Sequence, residues 1–312
     1  MKKTSALIAT LLLATPLAAQ DRMTPEQCSA SWAKVTTLLN TPDASIEPLV
    51  DDEGWCLYED ADFAISTQQK FQLESLRWRA SDIERFLEDD LPPRSFEVVG
   101  EGFSIVPFTG DPVFDYLFEL QSYQQNSGFG LSLRWDGVQN EVFVDEAYFD
   151  FYPENRIEAT ARIDGVDLSD QSAMHLSIGK MGLRELNVAS QFDGWFEIYV
   201  AMALGGELLD RDGDAPEVQV EALKEQAVEF VQELPDGVVP PVSRDALAGF
   251  INSLPQPRGT ARLQLDADPS LGALRMAPFA LLDAEPTMDQ IVDLGLNGVT
   301  LLFTWTPTGD SQ

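Results

Sequence analysis

The sequence predicts an α+β fold: a large, twisted, meander-like antiparallel β-sheet, an N-terminal helix tethered by a disulfide, and a helical block at about 193–254. Three observations predict it. Apolar and polar residues alternate with period two from Trp55 to Gln191. The period becomes helical after Gln191 and returns to two near residue 259. The only two cysteines, Cys28 and Cys56, fall one in a helical pattern and one at the start of a strand pattern. Runs of strands, then helices, then strands describe segregated α+β layers, not the strand–helix alternation of a parallel sheet.

The first element is an address label. Met1-Lys2-Lys3 is a short basic start, Ala6 to Ala14 an apolar core, and Pro16-Leu17-Ala18-Ala19 a small-residue cleavage region. Residues 1–19 are expected to be removed and 20–312 to form a single mature domain in the periplasm; the alternative is full secretion. Removal takes away two lysines and no acid, so the mature chain is more acidic than the full one. No later stretch approaches eighteen apolar residues, so no transmembrane helix is expected.

Thr24-Pro25-Glu26-Gln27 is a helix start, with Thr24 as N-cap and Gln27 as its capping-box partner. Cys28, Trp32, Val35 and Leu39 then form one apolar stripe, which turns Cys28 inward. In an oxidising compartment the cysteines should pair, stapling the first helix to the first strand; no C-x-x-C spacing suggests redox chemistry. A short helix is expected at Ser81–Asp90, with Ser81 as cap, Glu84 as box partner, and Ile83, Phe86 and Leu87 inward.

Strands follow at Leu131–Trp135, at Val142–Tyr152 (apolar on both faces, hence mid-sheet or under a helix), at Ile157–Ile163 and at Met174–Ile178. Asn126-Ser127-Gly128, Asp136-Gly137 and Pro153-Glu154-Asn155 supply turns. In the helical block, Trp195–Leu204 is expected to be a buried helix stopped by Gly205-Gly206. Gln219–Leu234 and Ser243–Leu254 are amphipathic, the second capped by Ser243. Final strands at 259–306 set Ala261, Leu263 and Leu265 beside Val299, Leu301, Phe303 and Trp305.

The charge excludes classes of function. With 20 basic against 52 acidic residues the net charge is −32, so nucleic acid and anionic membrane surfaces are repelled. Such acidity suits a protein kept hydrated at high ionic strength, where screening relieves self-repulsion. A single histidine forbids any site needing two imidazoles, and no nucleophile-elbow or nucleotide-binding motif occurs.

Two chemistries remain. Asp210, Asp212, Asp214 and Glu221 stand at positions 1, 3, 5 and 12 of a calcium-loop pattern, although Ala215 replaces the glycine expected at position 6. Calcium is the one cofactor the sequence suggests. Asp145, Glu146 and Asp150, among Trp135, Tyr148, Phe151 and Tyr152, are the carboxylates best placed for a carbohydrate hydrolase. His175, on the polar phase of its short strand, is expected to face solvent. The leading expectation is a non-enzymatic envelope protein whose half-open sheet offers an apolar face to an apolar ligand, a lipid or an envelope partner; the alternative is the carboxylate-dependent hydrolase.

Overall fold

The computed structural model describes residues 22–38, 48–64, 69–107, 109–122, 127–151, 155–278, 287 and 290–308, with backbone alone at 62–64, 122 and 276. The leader at 1–19, Leu39, Asn126, Tyr152, Pro153 and Glu154 lie outside the described residues.

Ten strands form one antiparallel sheet in chain order: β1 (Leu49–Val50), β2 (Cys56–Ala64), β3 (Gln69–Ser81), β4 (Ser95–Pro107), β5 (Ser127–Asp136), β6 (Glu141–Phe151), β7 (Asn155–Asp164), β8 (Gly182–Asp193), β9 (Arg258–Gly272) and β10 (Val299–Pro307). The meander and the helical interruption between β8 and β9 are as the alternation predicts. β6 lies mid-sheet, one of the two placements that its two-sided apolar pattern allows. Strand pairing sets Cys56, Trp78, Val98, Leu131, Ala147, Ala159, Val188, Leu263 and Phe303 in a single transverse row across nine strands. Period-two alternation on each strand therefore becomes one continuous apolar face and one polar face. Register shifts interrupt five successive strand pairs, from β4–β5 to β8–β9. Bulges increase local twist and bend a sheet.

Helices cover the apolar face at its two ends. At the first end α1 (Pro25–Leu38) starts with the predicted capping box: the Thr24 amide donates to Gln27 Oε1 at 2.8 Å, and the Gln27 amide to Thr24 Oγ1 at 3.2 Å. Cys28 bonds Cys56 with their Cα atoms 5.5 Å apart. Around this bridge Met23, Tyr58, Ala61, Leu73, Trp78, Ala80 and Ile83 are buried, with Trp32 tilted against Tyr58 and Trp78. The indole of Trp78 donates to Ser31 Oγ, which satisfies its one polar atom inside the core.

At the other end Phe192, Trp195, Ala261 and Phe303 are buried under a π-helical segment (Glu197–Ala201) and under α7 (Pro241–Ser253). β10 is an edge strand whose outward amides need partners. The Phe303 amide donates to Ser243 Oγ at 3.0 Å, and the Leu301 amide to the Val238 carbonyl at 2.7 Å. The helical block thus closes the edge as well as the face.

Several local expectations are corrected. The helix near residue 81 is α2 (Ile83–Asp89); its N-cap is Asp82, in the left-handed region and with no side-chain cap bond. Ser81 ends β3 and bonds Ser95, and Glu84 accepts from Gln27 of α1. The Met174–Ile178 strand is a helix, α4 (Gln171–Ser177), because the Asp170 carboxylate accepts from the Ala173 amide and caps it. His175 is exposed there, on a helix and not a strand. A further helix, α3 (Pro112–Ser122), has Asp111 Oδ1 accepting from the Val113 and Phe114 amides.

The apolar run from Trp195 continues through α5 (Met202–Leu208), which includes Gly205-Gly206, and beyond the buried Trp195 it is open to solvent: Ile198 is 62% exposed and Met202 81%. The last two long helices are α6 (Pro216–Glu233) and α7. Pro240-Pro241 starts α7, so Ser243 lies within its first turn and bonds the sheet instead of capping the helix. On α6, Phe230 is 50% exposed while Val231 is buried. A short α8 (Ala273–Met276) and a second π-helical segment (Ile291–Leu296) lie between β9 and β10. Among the described residues no helix is long and apolar enough to cross a membrane.

Candidate functional site

The two faces of the sheet offer different chemistry. On the apolar face, burial stops where the helices stop. No apolar side chain of β5, β6 or β7 is fully buried, although Leu131, Leu133, Val144, Ala147, Ala159 and Ala161 continue the rows that are buried at both ends. An aromatic chain crosses this zone. Phe71 meets Phe103 at 5.2 Å between ring centroids, Phe103 meets Phe149 at 6.3 Å, and Phe149 meets Phe151 at 4.5 Å. Phe151 stacks on Trp195 and touches Tyr199 at 5.0 and 5.1 Å. Gly100 permits the close packing here, because a Cβ at that position would stand 2.4 Å from the Phe129 ring.

Two helical elements expose further apolar residues. α3, between β4 and β5, leaves Val113, Phe114, Tyr116, Leu117 and Leu120 largely in solvent. The segment from Ile198 to Leu208 does the same with Ile198, Tyr199, Met202, Leu204 and Leu208. Large contiguous exposed apolar patches are a mark of binding surfaces.

The polar face bends into an open trough of about 850 Å³, lined from Glu97 on β4 to Thr304 on β10. Its β3–β7 side is cross-linked by ion pairs. Arg79 holds Glu97 at 2.7 Å, and Arg134 holds Asp145 at 2.9 Å. Arg156 stands between Glu146 and Asp150, each at 3.5 Å, and Glu158 at 3.8 Å. The Arg156 guanidinium also lies 4.0 Å over the Tyr148 ring. Gly130 leaves room for that ring, since a Cβ there would meet it at 2.1 Å. Burial and the acids around Tyr148 push its phenol pKa up, against the opposing pull of Arg156.

At the far corner Glu141, itself buried, takes a two-pronged contact from Arg162 at 2.7 and 2.9 Å. Nearby Asp164 has its pKa raised, first by burial and then by Glu141. Among the described residues no hydrogen-bond donor reaches its buried Oδ1.

The residues singled out from sequence are distributed as follows. Asp145, Glu146, Asp150 and Tyr148 share the polar face, with Arg156 over the Tyr148 ring, whereas Trp135 and Phe151 belong to the apolar one. Asp210, Asp212 and Asp214 lie in the connection between α5 and α6, and Glu221 lies on α6, paired with Lys224 at 2.8 Å. Gln219 fastens that loop: its amide donates to the Asp210 and Asp214 carbonyls and accepts from the Asp210 amide. Among the described residues no group of three or more His, Cys, Asp or Glu side chains is arranged to hold a metal ion.

The trough was not legible in the sequence, because each strand contributes one or two polar residues that only the register brings together. The half-covered apolar face was partly legible, in the alternation itself. No family model matches the chain, and no curated protein matches it.

Proposed function

We propose that this is an exported envelope protein that binds an apolar molecule, a lipid or a lipid-like chain, on the central part of its sheet's apolar face, and that it is not an enzyme. The observation that carries the reading is the zone across β5–β7, where apolar rows emerge from two helix-covered ends and stay half-exposed beside Phe149, Phe151 and Tyr199. Burying such rows against an acyl chain returns about 25 cal/mol per Å² of apolar surface removed from water. The exposed apolar sides of α3 and of the Ile198–Leu208 segment flank the zone and supply further contact area. Export supports the reading through the leader-like residues 1–19 and the Cys28–Cys56 bond, which suits an oxidising compartment.

The carboxylate-hydrolase alternative draws on the trough acids. Glu97, Asp145, Glu146 and Glu158 are each in contact with an arginine, an arrangement suited to holding charge rather than donating a proton. The test is native mass spectrometry on protein recovered gently from the periplasm, followed by titration with the uncharged probe N-phenyl-1-naphthylamine. A co-purifying lipid that the probe displaces supports the reading. Protein that carries no lipid and does not enhance the probe's fluorescence contradicts it.

A further inference from the structure

The polar face is not uniform. On β5, β7 and β8 its arginines are committed: Arg134, Arg156, Arg162 and Arg184 each hold at least one carboxylate; on β3, Arg79 holds Glu97, and Arg77 lies 5.1 Å over the Trp55 ring and does not line the trough. On β9, Arg262 is different. It is exposed, it lines the trough, and among the described residues no carboxylate or hydrogen-bond acceptor engages it. Its direct cross-strand neighbours are Ala189 and Thr304, and the next pair along the strands is Asn187 with Gln264. Thr160 extends that row, accepting from Asn187 Nδ2 at 3.3 Å. In a chain with 52 acidic residues, this guanidinium has Ala189 and Thr304 beside it and the Asn187 and Gln264 amides next along the strands; its row reaches a carboxylate only at Glu158, beyond Ala189, and Gln264 Nε2 donates to Asp266 at 3.1 Å.

We propose that this floor binds a saccharide carrying a single carboxylate, with Arg262 receiving the carboxylate and the Thr, Asn and Gln side chains receiving hydroxyls. A free guanidinium presents five N–H donors in a planar fork that matches a carboxylate in two parallel bonds. Uncharged amides and hydroxyls both donate and accept, so they suit a ligand rich in hydroxyl groups. The opposite side of the trough limits the ligand's charge. Glu97, Asp145, Glu146 and Glu158 line it and outnumber the arginines that hold them, so a second carboxylate reaching that wall is repelled while a neutral sugar's hydroxyls can donate to it. The site therefore selects one acidic sugar joined to neutral ones over a densely charged polymer. It lies on the face opposite the proposed apolar site and does not depend on it.

Calorimetric titration of the whole mature protein with cellobiouronic acid, cellobiose and sodium acetate tests the assignment, using wild type and Arg262→Gln of matched circular dichroism. The expected result is saturable binding of cellobiouronic acid to wild type, with cellobiose and acetate each weaker by about ten-fold or more. Arg262→Gln should bring cellobiouronic acid down to the level of cellobiose, and Arg262→Lys should restore only part of the loss. Equal binding to wild type and Arg262→Gln, acetate binding as tightly as the disaccharide acid, or no heat with millimolar disaccharide acid would each overturn it.

Discussion

The two ends of the sheet and its middle carry the same kind of residue in the same transverse row, yet only the ends are buried. Cys56 and Trp78 at one end and Phe303 at the other are close to fully buried, whereas Leu131, Ala147 and Ala159 between them are not. Strand alternation decides which face a residue joins; it does not decide whether anything covers that face. Cover comes from helices attached by their own devices: the disulfide and capping box of α1, and the contacts from Ser243 and Val238 to the edge of β10. Among the described residues the middle has no such fastening, and its apolar rows stay half-exposed.

That contrast predicts unequal costs for similar truncations. Trp78→Ala should destabilise by about 3–5 kcal/mol, since it empties a buried site and removes the indole N–H that donates to the Ser31 hydroxyl, which keeps only its own bond to the Cys28 carbonyl. Leu131→Ala, two strands along, should cost clearly less, about 1–2 kcal/mol, because its site is already half-wet. Denaturant midpoints for the pair would measure the gap, and equal costs would mean that the middle is covered after all. Replacing both cysteines with serine should lose about 3–4 kcal/mol in the chain-entropy estimate for a loop of this size. Thermal melts should fall accordingly while the circular-dichroism spectrum keeps its sheet signature, since α1 fastens the end and does not create the strands. Ser243→Ala should cost about 1–3 kcal/mol by leaving the Phe303 amide unpaired beside the core. Faster hydrogen exchange confined to β9 and β10 would mark that loss as local to the edge.

How far the sequence reveals this molecule follows from the same contrast. Patterns contained within one segment were readable: the Thr24 capping box, the alternation of β5, β7, β9 and β10, and the inward turn of Cys28 that made its pairing with Cys56 predictable. Patterns that compete within one segment were not. Met174, Leu176 and Ile178 alternate like a strand, but Asp170 caps a helix through Ala173, and the cap prevails over three alternating residues. Asp111 before Pro112 is the same signal for α3, hidden by an apolar run of no clear period. The run from Trp195 is apolar enough to read as buried, yet its outer side meets solvent, because burial depends on what lies opposite and the sequence does not encode that locally. The trough and the lone Arg262 were out of reach for a related reason. Their neighbours come from strands up to a hundred residues apart, joined through a register that five irregular pairings shift.

The most direct test places a charge in the uncovered zone. Ala147 lies between Leu131 and Ala159 on the apolar face and is only partly buried, so Ala147→Asp should fold with an unchanged circular-dichroism spectrum. In that variant, N-phenyl-1-naphthylamine binding should fall about ten-fold or more relative to wild type, because an acyl-like ligand would have to desolvate the new carboxylate. Probe affinity equal to wild type in the folded variant would place the ligand elsewhere and leave the bare middle of the sheet without an occupant.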